Sequence, residues 1–311
     1  MHKIAGLVGL FLFGGIASLA ALLFFQGQRP DYTWHPSATP PAFVNAHPRV
    51  LIDEGHHNAS TAGLFGRYMP LARLLKAEGY DVVRGNARFT DGTLASTGIL
   101  VIANASGAAR LQFWGFNLPI GDRGDRGAAA FTALEIEAVR AWVERGGSLL
   151  LIADHAPFGA ASAQLAAAFD VTMRGGSVEI PGATSDPLPF EQGALGDHPI
   201  LSGVDQVFTF SGQSLSGPAD ATILLRLPHN AIEYVEVSRD EAAGTTTFED
   251  QPAGPAQGLA LNYGAGRVVV LGEAAMLTAQ VRAGRPFGLS APGGDNERFA
   301  RNVMRWLAHD D

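Results

Sequence analysis

The sequence predicts an α/β protein built on a mostly parallel sheet, and three observations predict it. Short apolar runs recur from Arg49 onward, helical patterns fall between them, and polar residues close each run. The candidate strands are Val50 to Asp53, Asp81 to Arg84, Ile99 to Ala103, Ser148 to Ala153 and Arg267 to Leu271. Their unbroken apolar character predicts cover on both faces of the sheet.

Ahead of the strands, residues Ala5 to Phe25 form an uncharged apolar run long enough to cross a bilayer core as one helix. The run ends in Leu-Leu-Phe-Phe rather than in the small residues of a cleavage site, so residues 1–25 read as an uncleaved signal anchor. Lys3 and the terminal amine precede it, and only Arg29 follows closely; this bias favours a single-pass inner-membrane protein with its domain on the periplasmic or extracytoplasmic side. Residues 26–48 are rich in proline and without periodicity, which reads as a linker. Residues 49–311 form the α/β domain.

Within that domain Pro70 suits the first turn of a helix, which then runs to Glu78 with Gly79 behind it. The connection from Glu54 to Met69 is therefore long for a strand-to-helix loop, a place where function often sits. In "FTALEIEAVRAWVERGG", Thr132 and Glu135 form a capping box, Phe131 and Ile136 staple it, and Gly146 ends the helix. The alternation fails after Asp170, and residues 171–263 read as a β-rich insertion. "DNERFARNVMRWLAH" closes the chain as an amphipathic helix.

The chain has 311 residues, 47% hydrophobic and 17% charged, with a net charge of −8; with no basic run, this argues against nucleic acid as a partner. It contains no cysteine, hence no disulfide and no thiol nucleophile. In open parallel sheets ligands bind beyond the carboxyl ends of the strands. Those ends carry Asp53, Glu54, His56, His57 and Asn58 in "VLIDEGHHN", Asn104 and Ser106 after the third strand, Asp154 and His155 in "LLLIADHAPFG", and Glu273 in "VVVLGEAAM". Two readings stand side by side for each.

Asp53 either accepts backbone hydrogen bonds or acts chemically. Asp154 either caps the next helix, near Pro157, or serves a reaction. Glu273 serves chemistry or pairs with an arginine such as Arg67. His56 and His57 are adjacent, so at most one points inward. A histidine tuned by a carboxylate supplies acid/base chemistry, with His155, Asp154 and Glu273 as catalytic candidates and Glu54, His56, His57, Asn58 and Asn104 as ligand-binding ones. A divalent metal held by His56 or His57, His155 and a carboxylate is the alternative, without supporting ligand spacing. No G-x-S-x-G, P-loop or dinucleotide fingerprint is present.

"VLIDEGHHN", "WVERGGSLLLIADHAPFG", "GRVVVLGEAAML" and "DNERFARNVMRWL" together resemble the class I glutamine amidotransferase-like superfamily, nearest its bacterial domains of unknown function and its trehalose-utilisation-like branch. The resemblance covers roughly Arg49 to Asp170 and Arg267 to Ala308, and implies a flavodoxin-like three-layer sandwich. In that family the nucleophilic cysteine stands on the turn where this chain reads Ala153, Asp154, His155, Ala156. Glutamine amidotransfer is thereby excluded, and only the place carries over. The expectation is a membrane-anchored domain with a polar small-molecule crevice, either a hydrolase of a cell-envelope glycan or peptide or a non-catalytic ligand-binding or scaffold domain.

Overall fold

The computed structural model describes residues 28–64, 66–109, 112–113, 116–117, 124–183, 187–240 and 245–310. The protein is a mixed α/β fold with a parallel-rich central sheet and further strands. Strands β1 (Arg49–Asp53), β2 (Asp81–Gly85), β3 (Ile99–Ala103) and β4 (Ser148–Ile152) match the expected runs closely. The hairpin of β5 (Ala256–Tyr263) and β6 (Gly266–Leu271) follows. The order β2-β1-β3-β4-β6 is parallel throughout. Antiparallel β5 then extends the sheet on the β6 side, with the short strands Leu215–Ser216 and Thr172–Met173 beyond it.

Alternation along each strand divides the core in two. Val50, Ile52, Ile99, Val101, Leu150, Ile152, Val269 and Leu271 face helices α1 (Met69–Glu78) and α4 (Asn296–Leu307), where Leu71, Leu74, Phe299 and Val303 meet them. Leu100, Ile102, Leu149, Leu151, Val268 and Val270 face α2 (Ala133–Glu144) and α3 (Phe158–Ala167), against Val139, Trp142 and Leu165. Helices therefore cover both faces, as the unbroken apolar strands required.

Pro70 stands in the first turn of α1, and Gly79 ends it in the left-handed region at φ 96°, its N–H bonding back to Leu75 and Lys76. Thr132 and Glu135 close the capping box of α2. Buried Glu78 pins α1 to α4: it pairs with Arg301 and accepts from Arg305 Nη2 at 2.5 Å.

Most short strands of residues 171–263 lie on the central sheet or in a separate three-stranded sheet of Ser177–Glu179, Ile232–Asp240 and Thr245–Pro252. The expected β-rich insertion thus continues the main sheet in part. The segment read as a linker lies along the body from Gln28 onward. Arg29–Pro30 pairs with Val281 and Gln280, Ser37 N donates to Glu297 at 2.8 Å, and Phe43 packs edge-on against Tyr80. The expected membrane helix, Ala5 to Phe25, lies outside the described residues; among those described, no helix is long and apolar enough to cross a membrane.

Candidate functional site

The parallel register aligns Asp53 with Gly85, Ala103 with Ile152, and Ile152 with Leu271, so the polar strand ends form one row. That row separates into two clusters with different chemistry.

The first lies between the ends of β1 and β3 and is closed. Asp53 holds His56 Nδ1 at 2.9 Å and Asn58 Nδ2 at 3.0 Å, while His56 Nε2 reaches Glu135 at 3.0 Å. Glu135 also takes Arg88 at 2.9 Å, and the rings of Phe89 and Phe131 pack on the imidazole at 4.7 Å. Asp53, His56, Asn58 and Glu135 are all buried. Burial opposes the charge on His56, yet Asp53 and Glu135 outweigh it and raise the imidazole above its ordinary 6.5. Glu135 pays for its burial with hydrogen bonds from His56 and Thr132 and falls to about 2. A histidine flanked by two carboxylates donates from both nitrogens. It has no lone pair left for a metal.

The other members of the opening motif serve the same frame. Glu54 accepts from Ala62 N at 2.8 Å and meets Arg84 at 3.4 Å, which pins the loop before α1. His57 is exposed, at φ 51°, and so turns outward where His56 turns in. None of Glu54, His56, His57 and Asn58 lines the cleft described next.

The second cluster is open. Asp154 and Glu273, beyond the ends of neighbouring β4 and β6, line a cleft of about 850 Å³ together with His155. The size is that of a small-molecule site. Glu273 is 1% exposed and accepts Ala275 N and Met276 N, both at 2.7 Å. Burial and the neighbouring Asp154 carboxylate raise its pKa well above the ordinary 4.5, and these backbone donors only partly offset them. Asp154 keeps some solvent contact at the cleft, but the protein packed around its carboxyl also raises its pKa; His155 and Arg67 act against that rise. Two such carboxyls do not both ionise freely, so the pair retains a proton above the usual carboxylate range.

The pair is held by residues from several elements. Asn104, in the left-handed region at φ 49° where asparagine is tolerated, accepts Asp154 N at 2.9 Å. Asn104 is thus a support of the cleft rather than part of its lining. Buried Gln213 donates to the carbonyls of Ala153 and Asp154 at 2.8 and 3.2 Å. Tyr68, fully buried, donates to Ala274 O at 3.0 Å beside Glu273. Asp154 does not cap α3: Pro157 occupies that position without a side-chain bond, and Asp154 accepts His155 N at 2.9 Å instead. Exposed His155 places Nδ1 at 2.9 Å from Ala156 O, which assigns a hydrogen to Nδ1.

Phe208, Phe210 and Phe287 supply the aromatic wall, and Arg282 and Arg285 its cationic rim. Sequence reasoning missed all of these, and Gln213 and Tyr68 with them; their positions depend on pairings between distant segments that carry no motif. Among the described residues, no group of three or more histidines and carboxylates is placed to hold a metal ion.

No protein-family model matches the chain. No curated protein sequence matches it either. Solved structures do. The mmIFT52 N-terminal domain superposes with a TM-score of 0.57 at 14% identity, covering 83% of this chain and 97% of that domain. A cytoplasmic protein from Salmonella typhimurium LT2 gives 0.50 at 16% identity, covering 84% and 99%. A putative thua-like protein from Bacteroides uniformis ATCC 8492 gives 0.46 at 12% identity, covering 87% and 95%. At these identities the first two show a likeness in fold alone.

Proposed function

We propose that the chain is a membrane-anchored, amidotransferase-like domain of flavodoxin-like three-layer architecture, without the cysteine nucleophile, that hydrolyses a cell-envelope glycan or peptide. One observation carries the reading. Asp154 and Glu273 stand on neighbouring strand ends, both are raised by burial with the Asp154 carboxylate raising Glu273 further, and both open onto an 850 Å³ cleft. A carboxyl that keeps its proton donates it to a leaving oxygen or nitrogen, and an ionised partner accepts a proton from attacking water. Glu273, the more deeply buried, suits the acid; Asp154, at the cleft surface with His155 beside it, suits the base. The anchor is the apolar run Ala5 to Phe25, with the domain on the extracytoplasmic side of the inner membrane.

A second reading keeps the cleft and removes the reaction: a ligand-binding or scaffold domain at the membrane. The backbone donors on both Glu273 oxygens favour it, because they suit a fixed shape as well as a proton store. The test assays purified full-length protein against muropeptides and other envelope glycans, with Asp154→Asn and Glu273→Gln alongside. Loss of roughly 10²- to 10⁴-fold in turnover with intact folding is the expected result. Turnover unchanged in both variants refutes the assignment. Binding of the same compounds by calorimetry with no product in any assay selects the second reading.

A further inference from the structure

The wall of the cleft is built partly from the segment that leads toward the apolar N-terminal run. Strand Arg29–Pro30 pairs antiparallel with the first arm of the hairpin Ala279–Arg282/Arg285–Gly288, with Arg29 opposite Val281 and Pro30 opposite Gln280. Gln28 fastens the pairing by donating from Nε2 to Gln280 Oε1 at 3.0 Å. Because the strands are antiparallel, each step from Asp31 back toward the N terminus is a step toward the hairpin tip at Ala283 and Gly284. Gln28, Arg282, Ala283 and Arg285 all line the cleft, and the last three are exposed.

Phe25, the last residue of the apolar run, is three residues before Gln28. Three residues of extended chain span at most about 10 Å. If Ala5 to Phe25 crosses the bilayer, the rim of the cleft stands at the level of the headgroups. The end of the run and the mouth of the cleft belong to one short stretch of chain. Two of the rim residues there, Arg282 and Arg285, are arginines, and Arg29 adds a third to the same small sheet, although the chain as a whole carries −8. Cations close to a bilayer surface are drawn to anionic headgroups, each contributing on the order of 1 kcal/mol.

We propose that the cleft faces the membrane and takes its substrate from it: a lipid-linked molecule whose anionic headgroup meets Arg282 and Arg285 while its polar part reaches Asp154 and Glu273. The inference rests on the membrane-anchored reading above and narrows its substrate class to compounds carried by the bilayer.

The absence of cysteine makes the test direct, since one introduced thiol is the only one in the protein. Full-length Ala283→Cys, at the hairpin tip, and Ala265→Cys, in the exposed β5–β6 turn at the opposite end of the sheet, are each labelled with a fluorophore. They are reconstituted into vesicles of phosphatidylcholine and phosphatidylglycerol containing a lipid with a quencher on its headgroup. The expected result is several-fold stronger quenching at Ala283→Cys than at Ala265→Cys, reduced when phosphatidylglycerol is omitted and when Arg282→Glu and Arg285→Glu are combined with the label. Equal quenching at both positions, or none at either, overturns the membrane-facing orientation. Strong tip quenching that ignores both charge changes overturns the anionic selectivity. Protein that stays out of the vesicle fraction overturns anchoring, and this inference with it. Quenching is independent of turnover, so failure of the hydrolytic reading leaves this readout intact, and quenching can fail while turnover survives.

Discussion

His56 has both ring nitrogens on carboxylates, 2.9 Å from Asp53 and 3.0 Å from Glu135, and its pH behaviour follows from that geometry. Its folded pKa lies above the ordinary 6.5, so its contribution is complete below that value and is lost as pH rises through the folded pKa. Glu135 falls from 4.5 to about 2, so its contribution is present above 4.5 and is lost as pH falls toward 2. The network therefore stabilises most between these limits. His56→Ala leaves two buried carboxylates without their partner and is expected to cost about 3–5 kcal/mol, the deficit being widest near pH 5 to 6; denaturant melts across pH measure it. His155→Ala, at an exposed position, is expected to shift stability by less than about 0.5 kcal/mol. Glu273 has the sign of His56, opposite to that of Glu135. Its raised pKa gives stability that is present below the ordinary 4.5 and declines as pH rises through the folded value. Asp154→Asn removes the neighbouring charge, so the fall in melting temperature from acid to neutral pH is expected to be shallower than in the parent. An unchanged slope would mean that the two carboxyls do not interact. Both roles of "DEGHHN" and "ADH" were legible as possibilities in residue types alone. Glu135 decides between them for His56, and it is distant in sequence and already explained there by its capping box with Thr132.

Among the elements, those with local signals matched their expectations: Pro70 and Gly79 bound α1, and Thr132 with Glu135 opens α2. The strands of residues 171–263 are mostly two to nine residues long and are defined by partners far away, as Leu215 is by Met173 and Ala256. No local pattern encodes such a partner. The long loop before α1 was expected to carry function, yet Glu54 fastens it at Ala62 and Tyr68 N bonds to Thr61 O at 2.8 Å. Gln213 shows what the irregular region does for the cleft. Its amide accepts Gly175 N at 2.7 Å and donates to the strand-end carbonyls of Ala153 and Asp154, joining the extension to the turn that carries the acidic pair. Gln213→Ala leaves these groups unpaired in a buried position and is expected to cost roughly 1–3 kcal/mol. If the cleft acts on a ligand, ligand-dependent stabilisation should also fall, which a thermal-shift titration measures; the loss of stability without any change at the cleft would make Gln213 a packing residue only.

At the scale of the whole molecule, a row of strand ends carrying carboxylates and histidines followed from alternation and parallel topology before any contact was known. Its division into a sealed side and an open side did not, because the aromatic residues that seal His56 and the hairpin that walls the cleft come from elsewhere in the chain. Proline content suggested that residues 26–48 are a detached linker, but composition does not report what a segment packs against. Arg73 Nη1 reaches the carbonyls of Tyr32 and Trp34 at 3.4 and 3.3 Å, Arg301 Nη2 reaches Ser37 O at 2.9 Å, and Phe43 N donates to Glu78 O at 2.9 Å. Trp34 and Phe43 pack against the core cluster to which α1 and α4 contribute. A fragment that begins at Arg49 keeps every strand of the parallel sheet yet loses these contacts, uncovers part of the Glu78–Arg301 pair and leaves the hairpin arm Ala279–Arg282 as an unpaired edge. One that begins at Gln28 keeps them. Half-burying two aromatic side chains contributes on the order of 2–3 kcal/mol, and each kcal/mol moves the midpoint of a domain this large by about 2 °C or more. The shorter fragment is therefore expected to melt about 5 °C below the longer one and to aggregate more readily through the bared edge. Equal melting temperatures for the two would show that residues 28–48 contribute nothing to the fold, and would remove the fixed link between the N-terminal run and the rim of the cleft.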